Sequence, residues 1–118
     1  MSRRMERIAE QLKSEIARVL LEEVTDPRIG MVTITRVDCA PDLSNAIVYW
    51  SSLEADGESG IETIDDGLES AASFVRGRLA RVLTLRRTPR IEFRYDPSLA
   101  GGSQMLSLLR EIADGEKT

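Results

Sequence analysis

The stretch Ile61–Arg90, IETIDDGLESAASFVRGRLARVLTLRRTPR, holds the longest helical pattern in the chain and its sharpest charge boundary. Ile64, Leu68, Ala71, Ala72, Val75, Leu79, Val82 and Leu83 recur at three- and four-residue spacing, which places them on one side of a helix. Acids crowd the start (Glu62, Asp65, Asp66, Glu69) and arginines crowd the end (Arg76, Arg78, Arg81, Arg86, Arg87). Acids first and cations last suits the helix dipole. The dipole does not explain why so many arginines come without acidic neighbours. On an unbroken helix Phe74 and Leu85 point roughly opposite the apolar stripe, at about 100° per residue. A kink at Ala71-Ala72-Ser73 changes that phase and turns Phe74 inward, because a serine hydroxyl can bond back to a preceding carbonyl and bend a helix. The spacing therefore predicts two short helices meeting near Ser73, the second ending before Pro89.

Working outward, the N-terminal segment from Arg3 to Glu23 reads as a helix with the stripe Ile8, Leu12, Ile16, Val19 and Leu20. Asp26-Pro27 and Gly30 end it. Val32 to Cys39, rich in β-branched residues, reads as a strand, Ala40 to Ser44 as a turn, and Asn45 to Ser52 as its hairpin partner. Leu53 to Gly60 is a polar, acidic loop. Arg90 to Tyr95 alternates cleanly and makes a third strand. Ser103 caps an expected last helix, with Met105, Leu108, Leu109 and Ile112 on one stripe and Gly115 at its end. The order predicts an α+β domain with helices on one face of a three-stranded sheet.

Composition narrows the function classes. One domain covering residues 1–118 is expected, large enough to bury a real core. No run approaches the ~18 apolar residues of a membrane span, and MSRRMERIAEQL lacks the apolar core of a signal peptide. Cys39 is the one cysteine, which fits a reducing compartment and reads as a small strand residue. Histidine is absent, which removes His-based triads and His metal sites. No catalytic residue, metal site or cofactor is expected. Asp65, Asp66 and Glu69 are read as helix N-terminal charges, not as a metal or acid–base pair.

The net charge of −4 suits a nucleic-acid binder poorly, but its distribution matters more. Residues 53–69 carry seven acids and no base, a charge of −7. Residues 70–95 carry seven arginines against Glu92, a charge of +6, and residues 1–20 carry +2. Arginine's planar fork grips phosphate in two places and stacks on bases. Arg76, Arg78, Arg81, Arg86, Arg87 and Arg90 are the expected RNA-binding residues, and Arg3, Arg4 and Arg7 on the first helix form the runner-up surface. Of Tyr49 and Trp50, adjacent on a strand, at most one shares a face with the core. Arg28 is a turn residue first.

Two consecutive helices between the second and third strands resemble the KH fold in its second (type II) topology. That module clamps nucleic-acid backbone through a GXXG loop between its helices. The one literal match, Gly57-Glu58-Ser59-Gly60, precedes both helices in an acidic loop and is rejected as a phosphate clamp. RIAEQLKSEIARVL (Arg7–Leu20), TDPRIGMVTITRVD (Thr25–Asp38), APDLSNAIVYWS (Ala40–Ser51) and LESAASFVRGRLARVLTLRRTPRIEFRYD (Leu68–Asp96) together resemble the family of ribosome-binding factor A, a bacterial small-subunit assembly factor. In that family an Ala-x-Gly kink replaces the GXXG loop; Ala71-x-Ser73 stands at those positions here. Some members carry a longer charged C-terminal tail, and a short flexible tail is expected here from about Gly115.

The resemblance implies a cytoplasmic, non-enzymatic, monomeric factor without a small-molecule substrate or a membrane. It implies binding to the free or immature 30S small ribosomal subunit and its rRNA, help with 5′-end maturation of 16S rRNA, and a role in the cold. A protein-interaction module using the acidic loop or a sheet edge is the second function class. A small enzyme is the third.

Overall fold

A computed structural model describes residues 2–98. The elements run α1 (Arg3–Glu22), β1 (Thr33–Cys39), β2 (Asn45–Ser51), α2 (Gly57–Val82) and β3 (Arg90–Tyr95). The sheet order is β1-β2-β3. β1 and β2 form the expected antiparallel hairpin, from Thr33 opposite Ser51 to Cys39 opposite Ala46, with an irregularity between Ile34 and Arg36. β3 lies parallel to β2, Asn45 beside Arg90 through Trp50 beside Tyr95. Parallel strands need a long crossover, and α2 supplies it. The last helix expected from Ser103 lies outside the described residues.

α1 starts at Ser2, whose side chain accepts a hydrogen bond from the Met5 amide at 3.2 Å. Its buried face is the one the spacing predicts: Ile8, Leu12, Ile16, Val19 and Leu20. Between β1 and β2 the chain turns tightly. The Leu43 amide donates to the Ala40 carbonyl, and Leu43 adopts φ +60°. That left-handed conformation is rare for a bulky residue, and it drives the Leu43 side chain into the core, where it is buried.

α2 departs from expectation in three ways. It is one helix rather than two, with helical hydrogen bonding running through Ala71 and Ser73. Alanine is the strongest helix former, serine costs only tenths of a kcal/mol, and neither glycine nor proline interrupts the junction. It begins at Gly57, so the rejected Gly57–Gly60 motif is its first turn. It ends at Val82, so Leu85 never belongs to it. Phe74 stays on the outer side, 44% exposed, and Val82, placed on the stripe by its spacing, is 51% exposed. An exposed phenylalanine is accommodated because the Arg78 guanidinium, one turn on, lies 5.4 Å from its ring centre.

One position on the buried side of α2 escapes an apolar count. Gly67 is buried, and a Cβ there would come within 2.9 Å of Ile29 Cγ1 and 3.1 Å of Arg28 Cβ. The missing side chain lets the α1–β1 loop lie directly on the helix. Trp50 is the centre of the core, fully buried, with Tyr95 edge-on at 5.1 Å. Its indole Nε1 donates to Asp65 Oδ1 at 3.3 Å, so Asp65 satisfies a buried donor. Because α2 begins at Gly57, Asp65, Asp66 and Glu69 lie beyond its first turn and are not the N-terminal charges expected, a place Glu58 takes. Tyr49 takes the other face, with the Arg36 guanidinium 4.3 Å above its ring. Asp96 closes the sheet beyond β3. It accepts from Thr35 Oγ1 at 2.6 Å, and its amide donates to the Trp50 carbonyl at 2.7 Å. Hydrogen bonds from Ser98 and Thr35 pull its pKa down to about 2.

Candidate nucleic-acid interface

α2 is a lever that separates charge. Its 26 residues span roughly 39 Å at about 1.5 Å per residue, with acids at one end and arginines at the other. The acidic end is held in place: Glu54 Oε2 accepts from the Met31 amide at 3.4 Å. The six arginines expected to form one band divide by what they touch.

Arg78 is not a free cation. Its Nε lies 2.8 Å from Glu23 Oε1, and its side chain is only 38% exposed. The contact is ionic, since the Nε–H is not aligned as a hydrogen bond to any partner. Arg78 therefore ties α2 to the end of α1. The expectation that it faces solvent beside Arg81 fails because the helix packs closely enough to bring Glu23 under it. Arg76 is exposed, but Nη2 donates to the Thr88 carbonyl at 3.1 Å, bracing the loop into β3. Arg81, Arg86, Arg87 and Arg90 are exposed, and among the described residues none has an acidic partner within bridging distance.

The fold also joins two surfaces that are far apart in sequence. The segment after α2 folds back against the start of α1. A cleft of about 540 Å³ is lined by Arg4, Met5, Ile8, Pro41, Asp42, Leu43, Arg86 and Arg87. An adjoining one of about 450 Å³ shares Arg4, Ile8, Leu43 and Arg86 and adds Arg3 and Arg7. The runner-up surface thus becomes continuous with the distal part of the leading one, and the proximal part, Arg76 and Arg78, is engaged with Thr88 and Glu23. Asp42 is the acid lining this end. Hydrogen bonds from Ser44, with a lesser contribution from the charge of Arg87, hold its carboxyl below the ordinary range.

A signal for this end was present in the sequence. Arg3, Arg4 and Arg7 open α1 with only Glu6 in its first turn. Cations at a helix N-terminus oppose the dipole, so helix formation does not account for them.

The remaining features are structural. Arg18 holds Glu15, Glu22 and Glu23 together at the end of α1. Arg28 folds back on Asp26 and reaches the Ser70 hydroxyl at 3.2 Å, so it staples a turn to α2. No helix of the described residues is long and apolar enough to cross a membrane.

The fold and these blocks have known counterparts. A family model described as ribosome-binding factor A matches residues 4–109. A ribosome-binding factor A from Desulfitobacterium hafniense is 43% identical over 97% of this chain and 90% of its own length. One from Pseudomonas entomophila is 39% identical over 94% and 85%. The crystal structure of ribosome-binding factor A from Thermus thermophilus superposes with TM-score 0.67 at 28% identity, covering 77% of this chain and 93% of that one. A homology model of the Thermus thermophilus factor, as fitted into a cryo-electron-microscopy map of its 30S complex, matches with TM-score 0.60 at 27% identity, over 75% and 91%. The shared fold is KH-like, with the crossover helix between β2 and β3 that such a fold requires. With the family's pattern matched from the second residue of α1 past the end of β3, this chain belongs to the ribosome-binding factor A family.

Proposed function

We propose that this protein binds the free or immature small ribosomal subunit, as a monomer and without catalysis, and assists 5′-end maturation of 16S rRNA, with its greatest importance in the cold. Family membership over nearly the whole chain carries the reading. The Thermus thermophilus relative, fitted into the map of a 30S complex, supports the choice of subunit. The arginines without acidic partners at the end of α2, in the following loop and at the start of β3, Arg81, Arg86, Arg87 and Arg90, supply the contacts to rRNA phosphates. Such contacts set affinity and register more than sequence choice. Arg76 and Arg78 serve mainly to hold the helix and loop that present them.

The test is co-sedimentation with free small subunits, compared with full ribosomes. Binding to free small subunits at moderate salt, with release at high salt, is the expected result. Arg81→Glu should weaken that binding while leaving the melting temperature within a few degrees of the parent, as exposed substitutions usually cost within about 0.5 kcal/mol. A chain that stays in the supernatant at moderate salt would overturn the reading and favour a protein-interaction role for the acidic end.

A further inference from the structure

We propose that the cleft between the start of α1 and the loop from α2 to β3 grips single-stranded RNA, with Arg3, Arg4, Arg7, Arg86 and Arg87 on its phosphates. The inference rests on the ribosomal reading for the presence of RNA. It adds where the RNA is held and in what form.

Three observations carry it. The arginines of α1 stand at the end of the helix where cations are least favourable, and among the described residues none is bridged to an acid. Their placement is a cost to the fold, of the sort proteins carry at functional sites. Next, the fold delivers Arg86 and Arg87 to the same depression from the other end of the described chain. Finally, the depression has an apolar part: the exposed Pro41 and half-buried Met5 line it, over the edges of the buried Ile8 and Leu43. The two joined depressions, about 540 and 450 Å³, fall in the roughly 300–1,000 Å³ range of ligand sites.

This apolar part selects the form of RNA. An A-form duplex presents phosphate rails and a shallow, hydroxyl-lined groove, and has nothing apolar to set on Met5 and Pro41. An unstacked base does, and stacking or apolar contact with bases is how single strands are held between basic rims. Asp42 narrows the rim and repels a phosphate at one point. Glu6 and Glu10 stand beside Arg3 and Arg7 in a neighbouring depression, and the stretch lined by Arg4 and Arg86 beside Thr84 and Leu85 carries no acid.

The experiment uses the full chain and fluorescence anisotropy with a labelled single-stranded oligouridylate of about eight nucleotides, against an RNA duplex of the same length. The parent should prefer the single strand. Its log K should fall against log salt with a slope of about −3, as expected for four to five phosphates on a single strand. The Arg4→Gln, Arg86→Gln pair should lose about tenfold or more in affinity for the single strand and melt no lower than the parent. A folded pair that binds the single strand like the parent overturns the proposal, and so does a parent that prefers duplex. If that pair does not fold, Arg3→Gln with Arg7→Gln is read by the same criteria. A parent that pellets with small subunits but ignores oligouridylate sinks the cleft and keeps the ribosomal reading. A parent that binds oligouridylate but never pellets with small subunits keeps the cleft and sinks the ribosomal reading.

Discussion

The two helices order their charges in opposite ways. α2 runs from Glu58, Glu62, Asp65 and Asp66 to Arg78 and Arg81, with the dipole. α1 runs from Arg3, Arg4 and Arg7 to Glu15, Glu22 and Glu23, against it. The caps are reversed too. Ser2 caps α1 with a side-chain hydrogen bond, whereas Asp56 makes none at the start of α2. Each helix has what the other lacks: α2 leans on its charges, and α1 on its cap and on the Arg18 cluster that gathers its terminal glutamates. The lesson concerns which charges report function. Arginines that a helix welcomes are ambiguous, because stability alone explains them. Arginines that a helix tolerates at a cost need another reason.

The comparison breaks most visibly at Gly67. If α2 is the structural helix, Gly67→Val should drive Ile29 and Arg28 off its surface and destabilise the protein by about 2 kcal/mol, the usual scale for overpacking. A urea melt measures it, and a variant as stable as the parent would show that the α1–β1 loop yields freely. A smaller effect is expected where the two helices meet. Glu23→Gln removes the partner of Arg78 and one of the three carboxylates around Arg18. The Glu23–Arg78 coupling in a double-mutant cycle should be about 0.5–1 kcal/mol, discounted because both groups reach solvent. Zero coupling would return Arg78 to the pool of free cations.

Smaller still, and opposite in sign, is the start of α1. Arg4→Gln should stabilise the fold by about 0.3 kcal/mol or more at low salt, with the gain shrinking as salt rises. The matching change in α2, Arg81→Gln, should lose stability by a similar amount. Equal signs for the two would dissolve the contrast between the helices. A control outside both helices comes last. The folded pKa of Asp96, about 2, lies below the ordinary value of about 3.9. Its contribution to stability is therefore complete above the ordinary value and is lost as pH falls through about 2. Thr35→Val should flatten that part of an acid-unfolding profile and leave the behaviour of both helices at neutral pH unchanged.

Period and punctuation made most of the fold legible. The stripe of α1, the hairpin around Leu43 and the bounds of β3 follow from burial spacing and β-branched runs, which are local properties. What escaped depended on partners distant in the chain. A helical wheel places Arg78 on the wet side, and only the approach of Glu23 changes its role. Phe74 suggested two helices because an exposed aromatic looked anomalous, yet an arginine one turn on was enough to cover it. Gly67 is invisible to a count of apolar residues, since its contribution is the space it leaves. At the candidate interface, Arg81, Arg86, Arg87 and Arg90 emerged from charge density alone, and the juncture of Arg86 with Arg4 needed the fold.

The parallel pairing of β2 with β3 has a consequence for how the chain reaches this state. β1 and β2 meet across five residues, whereas Asn45 pairs with Arg90 across a stretch of chain that holds all of α2. Hairpins close in about 1–10 μs, and pairings between distant segments come later. For that interval β2, with Ile47, Val48, Tyr49 and Trp50 in a row, is an open edge of the kind that recruits other chains. The segment that follows it at once is the one with seven acids and no base. Like charges flanking an apolar strand act as gatekeepers against self-association. The acidic block stands where such a gatekeeper belongs, next to the strand that is open until β3 pairs with it.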